Sequence, residues 1–178
     1  MSNNTFKTWL SIFLFLGILA SPVLTQAQDQ NSQRYQVANH LLQQQKYEQA
    51  YKIFSKLHQN NPGNFLFLDK ATECLINMKR YDEAIKMTKE ANEQANYAGQ
   101  ATVRLGEIYH VRGDTSQAFS IWDQTLSQFS NNFQTYLQVA RTMSDRRAFN
   151  KAVKVYERAR EQFNNSTLLS TELSNTYM

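Results

Sequence analysis

Few side chains in this sequence could do chemistry, and Glu73, Glu107 and His110 are the best placed of them. Glu107 and His110 lie three residues apart, so a helix would put both on one face. Carboxylate and imidazole are ordinary cation ligands and an ordinary acid–base pair. Glu73 precedes Glu107 by 34 residues, which would place it on a neighbouring helix roughly 8–10 Å away. That is far for a shared ion, so the three read as surface polar residues, with no metal and no cofactor expected. His40 and His58 have no acidic or cysteine partner nearby in the sequence. The one cysteine, Cys74, falls in the apolar pattern Ala71, Cys74, Leu75 and is expected to be a small buried hydrophobe. A single cysteine makes no internal disulfide, so packing must supply the stability. The chain contains no Gly-rich phosphate loop, G-x-S-x-G or H-E-x-x-H. A non-enzymatic role is expected.

The 34-residue interval organises the whole chain. Ala50, Ala84, Ala118 and Ala152 recur at it. Counted so that this alanine is position 20, units start at residues 31, 65, 99 and 133. Position 7 reads Val37, Ala71, Leu105, Val139, and position 8 reads Ala38, Thr72, Gly106, Ala140. Position 11 reads Leu41, Leu75, Tyr109, Met143; position 17 reads Tyr47, Tyr81, Thr115, Phe149; position 24 reads Phe54, Thr88, Trp122, Tyr156. A fixed period of this size indicates stacked supersecondary units. Small residues at 8 and 20 let two antiparallel helices approach, and large ones at 11, 17 and 24 fill the space beside them. Asn64, Asn132 and Ser166 at position 34 are helix N-cap types, with Ala98 the exception. Glu48 with Lys52 and Asp82 with Lys86 are expected i,i+4 pairs.

The third unit carries Leu105-Gly106-x2-Tyr109 and Ala118-x3-Trp122, and the first carries Ala50-x3-Phe54 and Pro62. This pattern resembles the tetratricopeptide repeat, a helix–turn–helix of 34 residues, across residues 31 to 178. Position 4 departs from it, with Arg34, Leu68, Thr102 and Tyr136 where the repeat has Trp. The resemblance implies an all-α, right-handed α-solenoid of about four helix-turn-helix units, at 31–64, 65–98, 99–132 and 133–166. It also implies that the first helix of each unit lines a concave groove. Carried over position by position, the groove holds Tyr35, Asn39, Leu42 and Gln43, then Leu66, Asp69, Glu73, Ile76 and Asn77. Val103, Glu107, His110 and Val111 follow, then Gln134, Leu137, Arg141, Ser144 and Asp145. Leu42, Leu66, Ile76, Val103 and Leu137 are the apolar contacts. Asp69, Glu73, Glu107 and Asp145 against Arg141 would make the groove mildly acidic and suited to a basic ligand. The carboxylate clamp of chaperone-binding relatives would fall on Tyr35, Asn39, Lys70, Gln100 and Arg104. Tyr35 and Gln100 stand where lysines are needed, so that clamp is not expected.

Residues 1–27 read as a signal peptide. Lys7 opens it, Trp9 to Ala20 is its apolar run, and Thr25-Gln26-Ala27 puts small residues at −3 and −1 of a cleavage point. The apolar run through Leu24, with Pro22 inside it, is shorter than the roughly 20 residues that span a bilayer. Residues 28–33 would form a polar, flexible N-terminus. Residues 167–178 would be one extra C-terminal helix, the first of an incomplete fifth unit, whose Leu168, Leu169, Leu173 and Tyr177 suggest a piece of a longer array. Asn165-Ser166-Thr167 reads as a turn and cap rather than a glycosylation site.

The net charge of +4 is mild, and no run of adjacent basic residues exceeds Arg146-Arg147, so no nucleic-acid partner is expected. The positive charge gathers on second helices: Lys52, Lys56, Lys86, Lys89, Lys151, Lys154, Arg158 and Arg160. The expected object is a binding scaffold exported to the periplasm or cell surface of a Gram-negative bacterium. It would hold a peptide or partner protein in its groove and touch the membrane only through the signal sequence. The alternatives are the sensor or docking region of a longer envelope or signalling protein, or a structural envelope-assembly component that self-associates through its C-terminal helix.

Overall fold

The structure, a computed structural model, describes residues 30–94, 97 and 99–164. The signal peptide, the start of the polar N-terminus, Ala98 and the extra C-terminal helix lie outside the described residues. Eight helical segments and no strand occur among the described residues. The first helix, α1, covers residues 30–43. It is followed by α2 (Tyr47–Asn60), α3 (Phe65–Asn77), α4 (Tyr81–Gln94) and α5 (Gln100–Arg112). The last three are α6 (Thr115–Gln128), α7 (Phe133–Asp145) and α8 (Phe149–Phe163). The second helices therefore start at 47, 81, 115 and 149, in step with the period read from the sequence.

The small residues do what their size allows. Ala50, Ala84, Ala118 and Ala152 are all fully buried, as are Ala38, Thr72 and Ala140 at position 8. Phe54, Thr88, Trp122 and Tyr156 at position 24 fill the space beside them and are buried in every unit. Position 17 is mixed: Thr115 and Phe149 are exposed, whereas Tyr47 and Tyr81 are half-buried and Tyr81 packs against the cluster of Leu75, Ala84 and Ile108. Val37, at position 7 of the first unit, is 54% exposed. Its counterpart Ala71 packs into a cluster with Ala50, Phe54 and Leu57 of the preceding unit, whereas no described helix precedes α1.

The ends of the helices follow local chemistry. Asn64 Oδ1 accepts the backbone N–H of Leu66 (3.1 Å) and Asn132 Oδ1 accepts that of Thr135 (3.1 Å), which satisfies donors left free in the first turn. Helix α5 begins after Gly99, whose φ of 93° favours glycine and where a Cβ would stand only 3.0 Å from Phe129 Cδ2. The expected i,i+4 pairs of Glu48 and Asp82 do not form. Glu48 instead meets Arg80 (2.8 Å) and Asp82 meets Arg112 (2.8 Å). These pairs tie each second helix to the turn of the next unit, which lies within reach of a side chain pointing along the stack.

The turn between the two helices of each unit places position 15 in the left-handed region. Gln45, Lys79, Gly113 and Arg147 have φ of 59°, 60°, 107° and 60°. Only the third unit has the glycine that suits it, and an L side chain there costs about 1–2 kcal/mol. Replacing Gln45, Lys79 or Arg147 by Gly is expected to stabilise the array by about 0.5–1 kcal/mol each after the entropy of glycine is subtracted. Thermal unfolding followed by circular dichroism measures it, and Gly113→Lys should move the midpoint the other way.

Candidate functional site

The inner face is set by how the helices meet. Helix α5 packs against both α3 and α7, while contact between successive second helices is far smaller. First helices crowded together and second helices splayed apart give a curved stack with α1, α3, α5 and α7 on the inside. Along the N-terminal halves of α3, α5 and α7 runs an open groove of about 1040 Å³. Asn61, Asn64, Leu66 and Asp69 line one side of it, Gln100 and Tyr97 the middle, and Asn132, Gln134, Thr135 and Gln138 the other.

Beside this groove lies a buried ionic network that ties three units together. Arg104 is buried; its Nε donates to Thr72 Oγ1 (2.9 Å), and one terminal nitrogen donates to the backbone carbonyl of Asp69 (2.9 Å). Its other terminal nitrogen donates to Glu107 Oε2 (2.6 Å), and Nε lies 3.4 Å from the Asp69 carboxylate. Arg146, in the turn after α7, donates from Nε to Glu107 Oε1 (3.0 Å) and pairs with the same oxygen through a terminal nitrogen. Burial alone pulls the Arg104 pKa down, but the carboxylates of Glu107 and Asp69 outweigh it, and the net direction is up. Burial pushes the Glu107 carboxyl up, but Arg104 and Arg146 outweigh that and hold it below the usual range. Asp69 goes the other way, because burial exceeds the attraction of Arg104.

These contacts redraw the groove read from the sequence. Val103 is 1% exposed; it packs in the core and its carbonyl accepts the indole N–H of Trp122 (3.0 Å). Leu137 is likewise buried in that core. Neither can reach a ligand, because the inner helices sit close enough to cover the sides of their own residues. The side chain of Glu107 is 12% exposed and fully engaged, so it is a structural anion rather than a ligand contact. Asp69 is drawn to Arg104, and Glu73 is bonded to Lys70 (2.7 Å). The mildly acidic groove is thereby corrected for three of its four carboxylates: Asp69, Glu73 and Glu107 are met by Arg104, Arg146 and Lys70, which the groove positions omit, while Asp145 stays exposed. Arg104 is also unavailable to clamp a terminal carboxylate.

The remaining positions stay on the inner surface to different degrees. Leu66 is 43% exposed, and Asn77, Arg141 and Asp145 are exposed. Asn39, Val111 and Ile76 are half-buried. Tyr35 leans on Phe54 and Phe67, Leu42 packs with the same cluster, and His110 lies against Trp122 and Phe119. Burial first and Arg146 second lower the His110 pKa, so it is neutral at pH 7. Glu73 is taken by Lys70 and Glu107 by Arg104 and Arg146, while His110 packs on aromatic rings with Arg146 nearby; among the described residues no three His, Cys, Asp or Glu side chains could hold a metal ion. His58, read as an ordinary helix residue, is buried with Nδ1 unpartnered. Cys74 is buried, and burial pushes its thiol up to about 12, the behaviour of a packing residue. Among the described residues no helix is long and apolar enough to cross a membrane.

Sequence reasoning missed the network because, apart from Arg104 and Glu107, its partners stand 32 to 39 residues apart. A signal did exist. Moving Arg104 back by one period places position 6 beside Asp69 at position 5 and Thr72 at position 8, which are its actual partners.

Helix pairs repeated every 34 residues, with a buried small residue at positions 8 and 20 of each, decide the family of the fold. The chain has the fold of a tetratricopeptide-repeat array. A family model described as anaphase-promoting complex, cyclosome, subunit 3 matches residues 17–91, less than half of the chain. Comparison with the curated proteins gives no match. Among solved structures the array is similar to MamA from Desulfovibrio magneticus RS-1, at 11% identity and TM-score 0.48 over 83% of this chain and 84% of that one. It is similar to YrrB, described as a TPR protein with an unusual peptide-binding site, at 17% identity and TM-score 0.44 over 89% and 84%. It is also similar to the TPR2AB domain of yeast Sti1 in complex with pHSP90, at 15% identity and TM-score 0.48 over 83% of each chain.

Proposed function

We propose that this repeat array is a non-enzymatic interaction scaffold of the bacterial envelope, which holds a peptide or an extended segment of a partner protein along its inner face. The open groove over α3, α5 and α7 carries the reading. Stacked repeats present extended concave surfaces, and capture of an extended peptide or a helix follows from that shape. The envelope location rests on the pattern of residues 1–27, which reads as an export signal.

Photo-crosslinking in the producing cells tests both parts. A benzophenone side chain at Leu66, Asn77 or Asp145 should capture a defined partner band, recovered from the periplasmic or surface fraction. The same group at Lys89 or Glu157, which are exposed on second helices, should not. Capture from the second helices alone overturns the inner-face reading, and recovery of the protein only from the cytosol overturns the envelope.

A further inference from the structure

The groove is lined by six side-chain amides, Asn61, Asn64, Gln100, Asn132, Gln134 and Gln138, with Asp69 its one charged member. Three of the amides are half used, in a way that fixes their orientation. Asn64 and Asn132 accept backbone N–H groups through Oδ1 and so present their NH2 groups. Asn61 donates to the Leu57 carbonyl (3.1 Å) and presents its oxygen. The amides of Gln100, Gln134 and Gln138 enter no hydrogen bond among the described residues. We infer that this groove binds an uncharged, extended peptide segment by its main chain, the amides pairing with its N–H and C=O groups. The inference rests on the inner-face reading above and adds to it the chemistry of the ligand.

A carboxamide offers a donor and an acceptor side by side, the same pair that a peptide group presents. Successive inner helices lie roughly 8–10 Å apart, and three residues of extended chain span about 10 Å. A ligand of about six or seven residues therefore meets amides from α3, α5 and α7 in turn. Charge decides what kind of segment enters. The groove lining holds no cation, and the Asp69 carboxylate is already faced by Arg104 at 3.4 Å. A charged ligand side chain finds no free counter-ion in this open groove, so its charge adds nothing to binding. The half-exposed Leu66 offers one apolar contact. A glycan is the rival user of amides, but it favours an open aromatic face. Here Phe65 and Tyr97 are turned edge to face against each other (5.5 Å), and Tyr97 also donates to the Pro62 carbonyl.

The test follows the side-chain amide signals of the 15N-labelled protein by NMR. The main probe is a pool of N-acetylated, C-amidated decapeptides randomised over Ser, Thr, Val, Leu, Gly and Asn. Further probes are matched pools containing three Lys or three Asp, the neutral pool N-methylated on alternate residues, and cellopentaose. The neutral pool should move the signals of Gln100, Gln134 and Gln138. N-methylation should weaken it at least fivefold, and Gln100→Leu plus Gln134→Leu should weaken it about tenfold with an unchanged circular dichroism spectrum. If the Lys pool binds instead, moving Asn77 while the three glutamines stay still, this inference falls and the inner-face reading survives. Shifts of the same amides by cellopentaose alone overturn the peptide in favour of a glycan. If no probe moves any inner-face signal while crosslinking from Leu66 still captures a partner, main-chain recognition is overturned and the scaffold stands.

Discussion

Arg104→Ala is expected to cost about 3 kcal/mol, because it leaves Glu107 Oε2 buried without its donor, Arg146 pairing only with Oε1, and takes the counter-charge away from Asp69. Arg104 is buried and Glu107 is 12% exposed, so water cannot take over. Thr72 Oγ1 and the Asp69 carbonyl lose their donors at the same time. The melting midpoint should fall on the order of 10 °C or more, read by circular dichroism. Arg104→Met combined with Glu107→Leu should recover most of the loss, since apolar groups can replace a buried ion pair at little net cost. A loss below about 1 kcal/mol for the single change would mean that the network does not hold the units together. Acid provides an independent check. Glu107 titrates near the ordinary 4.5 when unfolded and below it when folded, so its contribution is full above that value and fades as pH falls through the lowered one. Asp69, raised by burial, acts in the opposite sense and favours the folded state as it becomes protonated. Glu107→Gln should therefore be less stable at pH 7 and lose less on acidification below pH 4.5 than the parent chain.

The same network explains what could be read in advance. The period was legible because steric demands repeat: a helix pair needs a small residue wherever two backbones approach, and Ala50, Ala84, Ala118 and Ala152 meet that demand one unit at a time. N-caps were legible for a similar reason, since Asn64 and Asn132 act within three residues of themselves. The groove was only partly legible. Position numbers say which residues face inward, but not whether an inward residue has been claimed by a neighbour. Val103 is covered by Trp122, and Glu107 is held from both sides by arginines at positions 6 and 14. The amide groove escaped because it is not a property of one position. Asn61 and Asn64 come from a turn between units, Gln134 and Gln138 from the opening of α7, and only the stack brings them onto one surface.

Gly106→Ala is the second large effect, and its sign runs against helix propensity. Gly106 lies inside α5, where alanine would ordinarily be favoured by about 1 kcal/mol. A Cβ built there lies 2.7 Å from Trp122 Cδ1 and 2.8 Å from its Cε2, and presses on Nε1 as well. The indole cannot withdraw, being fully buried and hydrogen-bonded to the Val103 carbonyl at 3.0 Å. Overpacking of this kind costs about 1–3 kcal/mol beyond the propensity gain, so α5 and α6 must spread for the variant to fold. Trp122→Phe alone should also lose about 1–3 kcal/mol, through the missing hydrogen bond and the space it leaves. Because the phenyl ring vacates the position that the new methyl needs, the double variant should be more stable than the two losses predict by at least about 1 kcal/mol. Strict additivity would mean that the two residues do not share one joint. The joint matters beyond stability, since Trp122, Val103 and Leu137 lie in one core cluster directly behind the inner face. Spreading α5 from α6 therefore moves Gln100 relative to Gln134. Gly106→Ala should weaken groove binding even where the fold survives, with the loss relieved in the Trp122→Phe background.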